Sequence, residues 1–411
     1  MIDEHLKEIK SDFQIKKFCA YGFLKDLRFF EPYLLIFLMG KGIDLFQIGI
    51  LIAIREVIVN LFEIPSGIVA DYFGRKKELD LCFGLYIISF LFFFFTNSFF
   101  VAIFAMVFYG LGEAFRSGTH KAMIYTYLDS KGWQKDKTFV YGKTRSCSLI
   151  GGAISSIISI LIILNTTSLN CIFLFSIIPY VLDFILILTY PKFLDCADKK
   201  SQMGFRDMFK LILAKFHKNN TLKKMMIEEG MFEATISFIK DLIQPILELI
   251  IVGSGFVIIS TINAEDNLKV ILGIVYAFLN LLGSIASRNA YMLKFNKSNM
   301  KCLYMIHFLL AISMAILAVV SKNPYLVFGV YLLIYLLFNV RKPIFVDEID
   351  EHIEKSARAT ALSVTSQLKA LFLIIFAPIL GYIADRFGLS VIMLILAVLF
   401  IITLPLLKVK K

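Results

Sequence analysis

Glu63 to Lys77 reads E-I-P-S-G-I-V-A-D-Y-F-G-R-K-K. An apolar stretch enters it, Pro65, Gly67, Asp71 and Gly74 punctuate it, and Arg75, Lys76 and Lys77 close it before the chain turns apolar again. Such a stretch is a tight, charged turn between two long apolar helices. Gly67 and Gly74 permit close helix approach and a positive φ angle. Asp71 can cap a helix or pair with a cation.

The composition agrees with that reading. The chain has 411 residues, 58% hydrophobic and only 18% charged, and its mean hydropathy is +0.76. A soluble domain runs about half apolar and about a quarter charged. The sequence therefore predicts a polytopic membrane protein, all-α in class. The net charge of +11 fits basic loops on one side of a bilayer better than a nucleic-acid surface. The six cysteines, spread from Cys19 to Cys302, show no paired spacing, so no disulfide framework is expected.

A spanning helix needs about 20 mostly apolar residues. Twelve stretches qualify in order along the chain. The first, 16–39, is expected as one helix although Lys25, Asp26, Arg28 and Glu31 interrupt it. The fourth is expected to continue past Glu113, Arg116 and His120 to Tyr127, which would place those three on one face. The fifth opens with Gly151, Gly152, Ala153, Ser155, Ser156 and Ser159, small residues that let helices approach closely. Residues 192–224 form the one long polar segment, where Phe205, Met208, Phe209, Ile212, Leu213 and Phe216 recur at helical spacing. The expected division is a six-helix bundle over 1–190, a linker with an amphipathic helix over 191–222, and a second six-helix bundle over 223–411.

Lys and Arg crowd the segments that share a side with the N-terminus, which puts both termini in the cytoplasm and predicts a multi-pass protein of the plasma (inner) membrane. The Ile, Phe and Lys richness suggests a bacterial source.

Twelve helices in a six-plus-six layout, together with Gly67-x-x-x-Asp71-x-x-Gly74-Arg75-Lys76 between helices two and three, resemble the major facilitator superfamily. Tyr72 stands where that motif usually has a basic residue. The matching loop in the second half is eroded: Gly283 and Ala286 remain, but Ser287 replaces the aspartate. A closer copy, Gly381 to Gly388 with Asp385, falls between helices eleven and twelve. The resemblance implies secondary transport by alternating access. It also implies that Gly67, Asp71, Gly74, Arg75 and Lys76 act as a conformational latch, and that helices one, four, seven and ten line the cavity.

Charges concentrate on those helices. At mid-bilayer each costs ~2.5–3.5 kcal/mol on insertion scales, so they are expected to be paired or to face water. The candidates for substrate binding and proton coupling are Arg28, Glu31, Glu113, Arg116, His120, Glu233, Lys240, Asp241 and Arg341. Glu113, Glu233, Asp241 and His120 are the expected proton carriers. The expected substrate is a small charged or zwitterionic solute moved with protons or another coupling ion by a monomer. No cofactor, metal site, nucleic-acid partner or enzymatic activity is expected. Asp347, Glu348, Asp350, Glu351, His352 and Glu354 read as a solvated acidic helix end. Two other functions fit the same fold: export of lipophilic cations, and a receptor that does not transport. The first wants an acidic cavity, whereas Lys25, Arg28, Arg116, Lys240 and Arg341 offset the acids here.

Overall fold

The computed structural model describes residues 2–116, 118–195, 220–254, 259, 263–289, 299–319, 323–352 and 358–407. The linker helix expected around Phe205 to Phe216 lies outside them, as do the tail Lys408–Lys411 and the side chains of Asp71, Asp347, Asp350, Glu351 and His352. Among the described residues every regular element is helical.

The elements are α1 Ile2–Ser11, α2 Phe13–Lys25, α3 Leu34–Gly40, α4 Leu45–Phe73, α5 Arg75–Phe94, α6 Phe99–Arg116, α7 Thr119–Ser130, α8 Lys137–Leu164 and α9 Cys171–Leu188. After the linker come α10 Asn220–Ser254, α11 Ala264–Asn289, α12 Asn299–Val319, α13 Pro324–His352, α14 Arg358–Phe387 and α15 Leu389–Thr403. Nine stretches among the described residues are long and apolar enough to cross a bilayer; α5 and α10 carry more charge. Side chains such as Leu161, Ile178, Ile185 and Ile401 are more than half or nearly half exposed, as lipid-facing residues must be.

Two expected helices are broken. The first stretch is not one helix: α2 stops at Lys25, a 3-10 turn runs Glu31–Tyr33, and α3 resumes at Leu34. Pro32 stands in that turn, where it supplies no N–H and disfavours helix in the residue before it. The fourth is divided between α6 and α7 at Gly118, whose φ of +80° lies outside the helical range and suits only a residue without Cβ. Arg116 and His120 therefore do not share one continuous helix face.

Contacts group the chain into two units. The first holds residues 1–34, 57–202 and 273–280. In it α2 packs on α8, and α5 on α6 and α9. The small residues in the middle of α8 serve the first of these contacts. A Cβ on Gly22 would stand 2.8 Å from both the Ser148 hydroxyl and the Thr144 carbonyl, and one on Gly151 would overlap the Phe23 backbone.

The second unit holds residues 35–56, 203–272 and 281–411. Here α10 packs on α14, and α12 on α13 and α15. Leu45 to Glu56, the first part of α4, also belongs to this unit. Its Gly49 lies against the Ala377 backbone of α14, and Gly381 of α14 against Leu45. Asp385, the aspartate of the closer motif copy, accepts hydrogen bonds from the backbone N–H of Leu45 at 3.1 Å and of Phe46 at 2.8 Å. A carboxylate there satisfies two orphan donors of the helix N-terminus and complements its dipole.

Candidate functional site

The two helix breaks face one cavity in the first unit. It measures about 390 Å³ and is lined by α2, α7 and α8, with Tyr21, Lys25, Asp26, Arg116, His120 and Arg145 on its wall. That volume suits a small solute. Ending α2 at Lys25 leaves Lys25 and Asp26 at a helix terminus, where their side chains reach the cavity. Irregular backbone at membrane depth is tolerated where it lines such a space.

The charges of the wall are unequal. Lys25, Arg116, Lys121 and Arg145 line it, against Asp26 alone among the acids. Lys25 Nζ is 2.8 Å from Asp26. Arg116 donates to Glu113 at 2.6 Å, and Arg28 lies 3.4 Å from the other oxygen of that carboxylate. Tyr86 donates to Glu113 at 2.6 Å and accepts from Arg116 at 3.1 Å. Glu113 is thus the hub of a fixed ionic cluster. After its charge and that of Asp26 are subtracted, the wall remains cationic. His120 stacks on Tyr21 with ring centroids 3.6 Å apart and its Nε2 is 3.2 Å from the Tyr190 hydroxyl. Together these groups offer an anion several donors, with aromatic surface beside them.

Glu31 stands in the 3-10 turn below Arg28, half-buried. The remaining candidates lie in the second unit. Glu233 pairs with Lys342 at 2.8 Å, with Lys369 of α14 near enough to act on the same carboxylate. Lys240 and Asp241 are half-buried on α10. Arg341 is fully buried and does not line the cavity: its guanidinium bonds Glu228 at 2.6 and 2.8 Å and also Glu229, with the Phe232 ring 3.7 Å away.

Lys121, Arg145, Glu228 and His307 were not among the sequence candidates. Lys121 follows the break at Gly118, and Arg145 comes from α8, the helix packed on α2. Asp183 of α9 is another fully buried carboxylate, with neither oxygen hydrogen-bonded.

The motif loop lies elsewhere in the first unit. Gly74 has φ +100° and stands against Asp195, which accepts from the Lys76 N–H at 2.8 Å. Arg75 donates to Thr126, and the Lys76 ammonium to the carbonyls of Leu188 and Tyr190. Gly67 is exposed with open space around it. No group of three or more metal-ligating side chains occurs among the described residues.

Nine membrane-length stretches among the described residues, with a charged cavity beside two helix breaks in the first unit, are features of a membrane solute transporter. The pattern of the Major Facilitator Superfamily matches residues 26–370, and the chain belongs to that superfamily. A segment of 90 residues is 34% identical to an uncharacterised MFS-type transporter, YxaM, of Bacillus subtilis (strain 168); it spans 22% of this chain and 23% of that relative. The fold superposes on the nucleoside transporter NupG with a TM-score of 0.81 at 12% identity, covering 97% of this chain and all of the other. A bacterial homologue of the human lysosomal transporter Spinster gives 0.74 at 14% identity, covering 96% and 94% of the two chains. A D-xylose-proton symporter gives 0.65 at 12%, covering 97% and 98%.

Proposed function

We propose that the chain is a proton-coupled secondary transporter of a small anionic or zwitterionic solute, working by alternating access in the plasma membrane with both termini cytoplasmic. The observation that carries the substrate class is the cavity wall, where Lys25, Arg116, Lys121 and Arg145 face Asp26 alone. A lipophilic cation would meet like charge on entering it, which disfavours the exporter reading. The proton-symporter neighbour supports coupling by analogy of fold only.

A thermal-stabilisation panel tests the substrate class. Carboxylates, phosphate esters, amino acids, nucleosides, neutral sugars and dye cations are added in turn to the purified protein. A ligand at 100 times its Kd should raise stability by about 2.7 kcal/mol. Stabilisation is expected from acids or amino acids. Stabilisation by the cationic dyes alone would end the anion reading.

In this reading Gly67, Asp71, Gly74, Arg75 and Lys76 control which way the cavity opens. Their loop is tied to the ends of α7 and α9, not to the cavity wall. Asp71→Asn should then slow uptake several-fold while the ligand-induced stabilisation stays unchanged. A large loss of ligand affinity would return the motif to the binding site.

A further inference from the structure

The buried acids of the ionic clusters have donors. Glu113 accepts from Arg28, Tyr86 and Arg116. Glu233 pairs with Lys342. Glu228 and Glu229 share Arg341, and His307 Nδ1 lies 3.2 Å from Glu228. Asp183 of α9 is different. It is fully buried, and among the described residues it is the one carboxylate with both oxygens buried and unbonded. It also stands inside the apolar span Cys171–Leu188. An ionised carboxylate without a donor is far more costly in such a place than the neutral acid.

Two charges act on Asp183: Lys25 at the end of α2 and Asp26 just beyond it. Both line the cavity. The other titratable groups that Asp183 influences are Tyr21 of α2, Cys82 of α5 and Tyr190 beyond the end of α9. α8 also touches α9 but brings no charge to bear on Asp183. The Lys25 ammonium is turned to Asp26, at 2.8 Å. Asp26 has a second cation in Arg28, at 3.8 Å, so Lys25 can leave it without orphaning it. One ammonium thus stands within the reach of two carboxylates and of any acid that enters the cavity.

The charge count ties these together. Lys25, Arg28 and Arg116 face Asp26 and Glu113, an excess of one positive charge. Lys121 and Arg145 are exposed and more strongly screened. With Asp183 protonated, the excess remains for an anion in the cavity. With Asp183 ionised, the excess is cancelled and Lys25 is drawn toward α9. An anion that engages Lys25 therefore favours the neutral acid at Asp183, and by linkage the proton favours the anion by the same factor.

We infer that Asp183 is the proton-carrying residue of the first unit, and that it competes with the transported anion for Lys25, so that one proton and one anion load together. Loading adds a proton from solvent to a carboxylate oxygen of Asp183. Unloading returns it as Lys25 turns back to that carboxylate. The inference rests on the proton-coupled anion reading above, but the proton site and that reading can fail separately. Glu113 makes a poorer carrier, since donors already occupy both its oxygens.

Infrared difference spectra of the purified protein, with no solute added, test the site. A protonated carboxyl band should be present at neutral pH. It should shift on carboxyl labelling of aspartate and after exchange into heavy water, and it should vanish in Asp183→Asn. Absence of an aspartate-sensitive carboxyl band from the wild type overturns the proposal, whether or not the variant folds. A band that never exchanges marks a structural acid and also overturns it. Lys25→Met should keep the band at pH values where the wild type has lost it; an unchanged titration overturns the competition for Lys25. Uptake of a labelled acid from the stabilisation panel, with and without an uncoupler, separates the two readings. Uptake indifferent to the uncoupler overturns coupled transport and leaves the proton on Asp183 standing. Uptake that stays uncoupler-sensitive in Asp183→Asn overturns Asp183 as the carrier.

Discussion

Arg341→Ala should cost about 3–5 kcal/mol of stability, the usual penalty for breaking a buried ion pair from one side. The guanidinium is fully buried and bonds both oxygens of Glu228 and one of Glu229. Without it, two buried carboxylates on consecutive residues of α10 lose the cation they share. Set against a typical total of about 5–15 kcal/mol, the loss should appear as poor yield and a much lower unfolding midpoint in detergent. Arg341→Lys should recover only part, since one ammonium cannot present the planar fork that spans both partners. The triple change Glu228→Gln, Glu229→Gln, Arg341→Met should recover more than Arg341→Lys, because it removes the charges instead of orphaning them. Equal midpoints for wild type and Arg341→Ala would show that the cluster is not sealed as described.

That cluster also shows where the sequence was legible and where it was not. Twelve apolar stretches in a six-plus-six layout and the Gly67–Lys76 motif are local signals, written within one helix or one turn. They led to the superfamily without a structure. Arg341 stood out as well, because a cation inside an apolar run is visible by itself. Its partners were not visible. Glu228 lies on α10 and His307 on α12, with α11 between them and Arg341 further on in α13, and no spacing rule connects these helices. The breaks near Pro32 and at Gly118 were missed for another reason. Apolar residues resume soon after both, so counting residues kept Glu113, Arg116 and His120 on one face. The backbone turns at Gly118, and His120 instead stacks on Tyr21. The resulting cavity also takes in Lys121 and Arg145, which the sequence did not single out. The excess of cations on this wall therefore shows only in three dimensions.

Lys25→Ala gives the cleanest measure of that excess. Lys25 lines the cavity and pairs with Asp26, whose carboxylate is also 3.8 Å from Arg28. Removing Lys25 leaves Asp26 a second cation, while buried Asp183 loses the nearby charge of Lys25. Both side chains keep roughly a fifth of their surface exposed, so the pair itself should contribute no more than about 1 kcal/mol to stability. Binding is different. A hydrogen bond from an ammonium to an anionic ligand is worth about 1.5–3 kcal/mol, and each 1.4 kcal/mol is a factor of ten in Kd. The variant should thus keep its unfolding midpoint within a few degrees while its affinity for the stabilising acid falls about 10–100-fold. Arg116→Ala would be a poorer test, since it also strips Glu113 of its shortest ion pair and mixes folding with binding. Asp26→Asn supplies the opposite sign: it removes the one acid on the wall and should leave anion affinity unchanged or higher. If Lys25→Ala and Asp26→Asn move the affinity in the same direction, the ligand is held by shape or stacking against Tyr21 and His120, and not by the cationic field of the cavity.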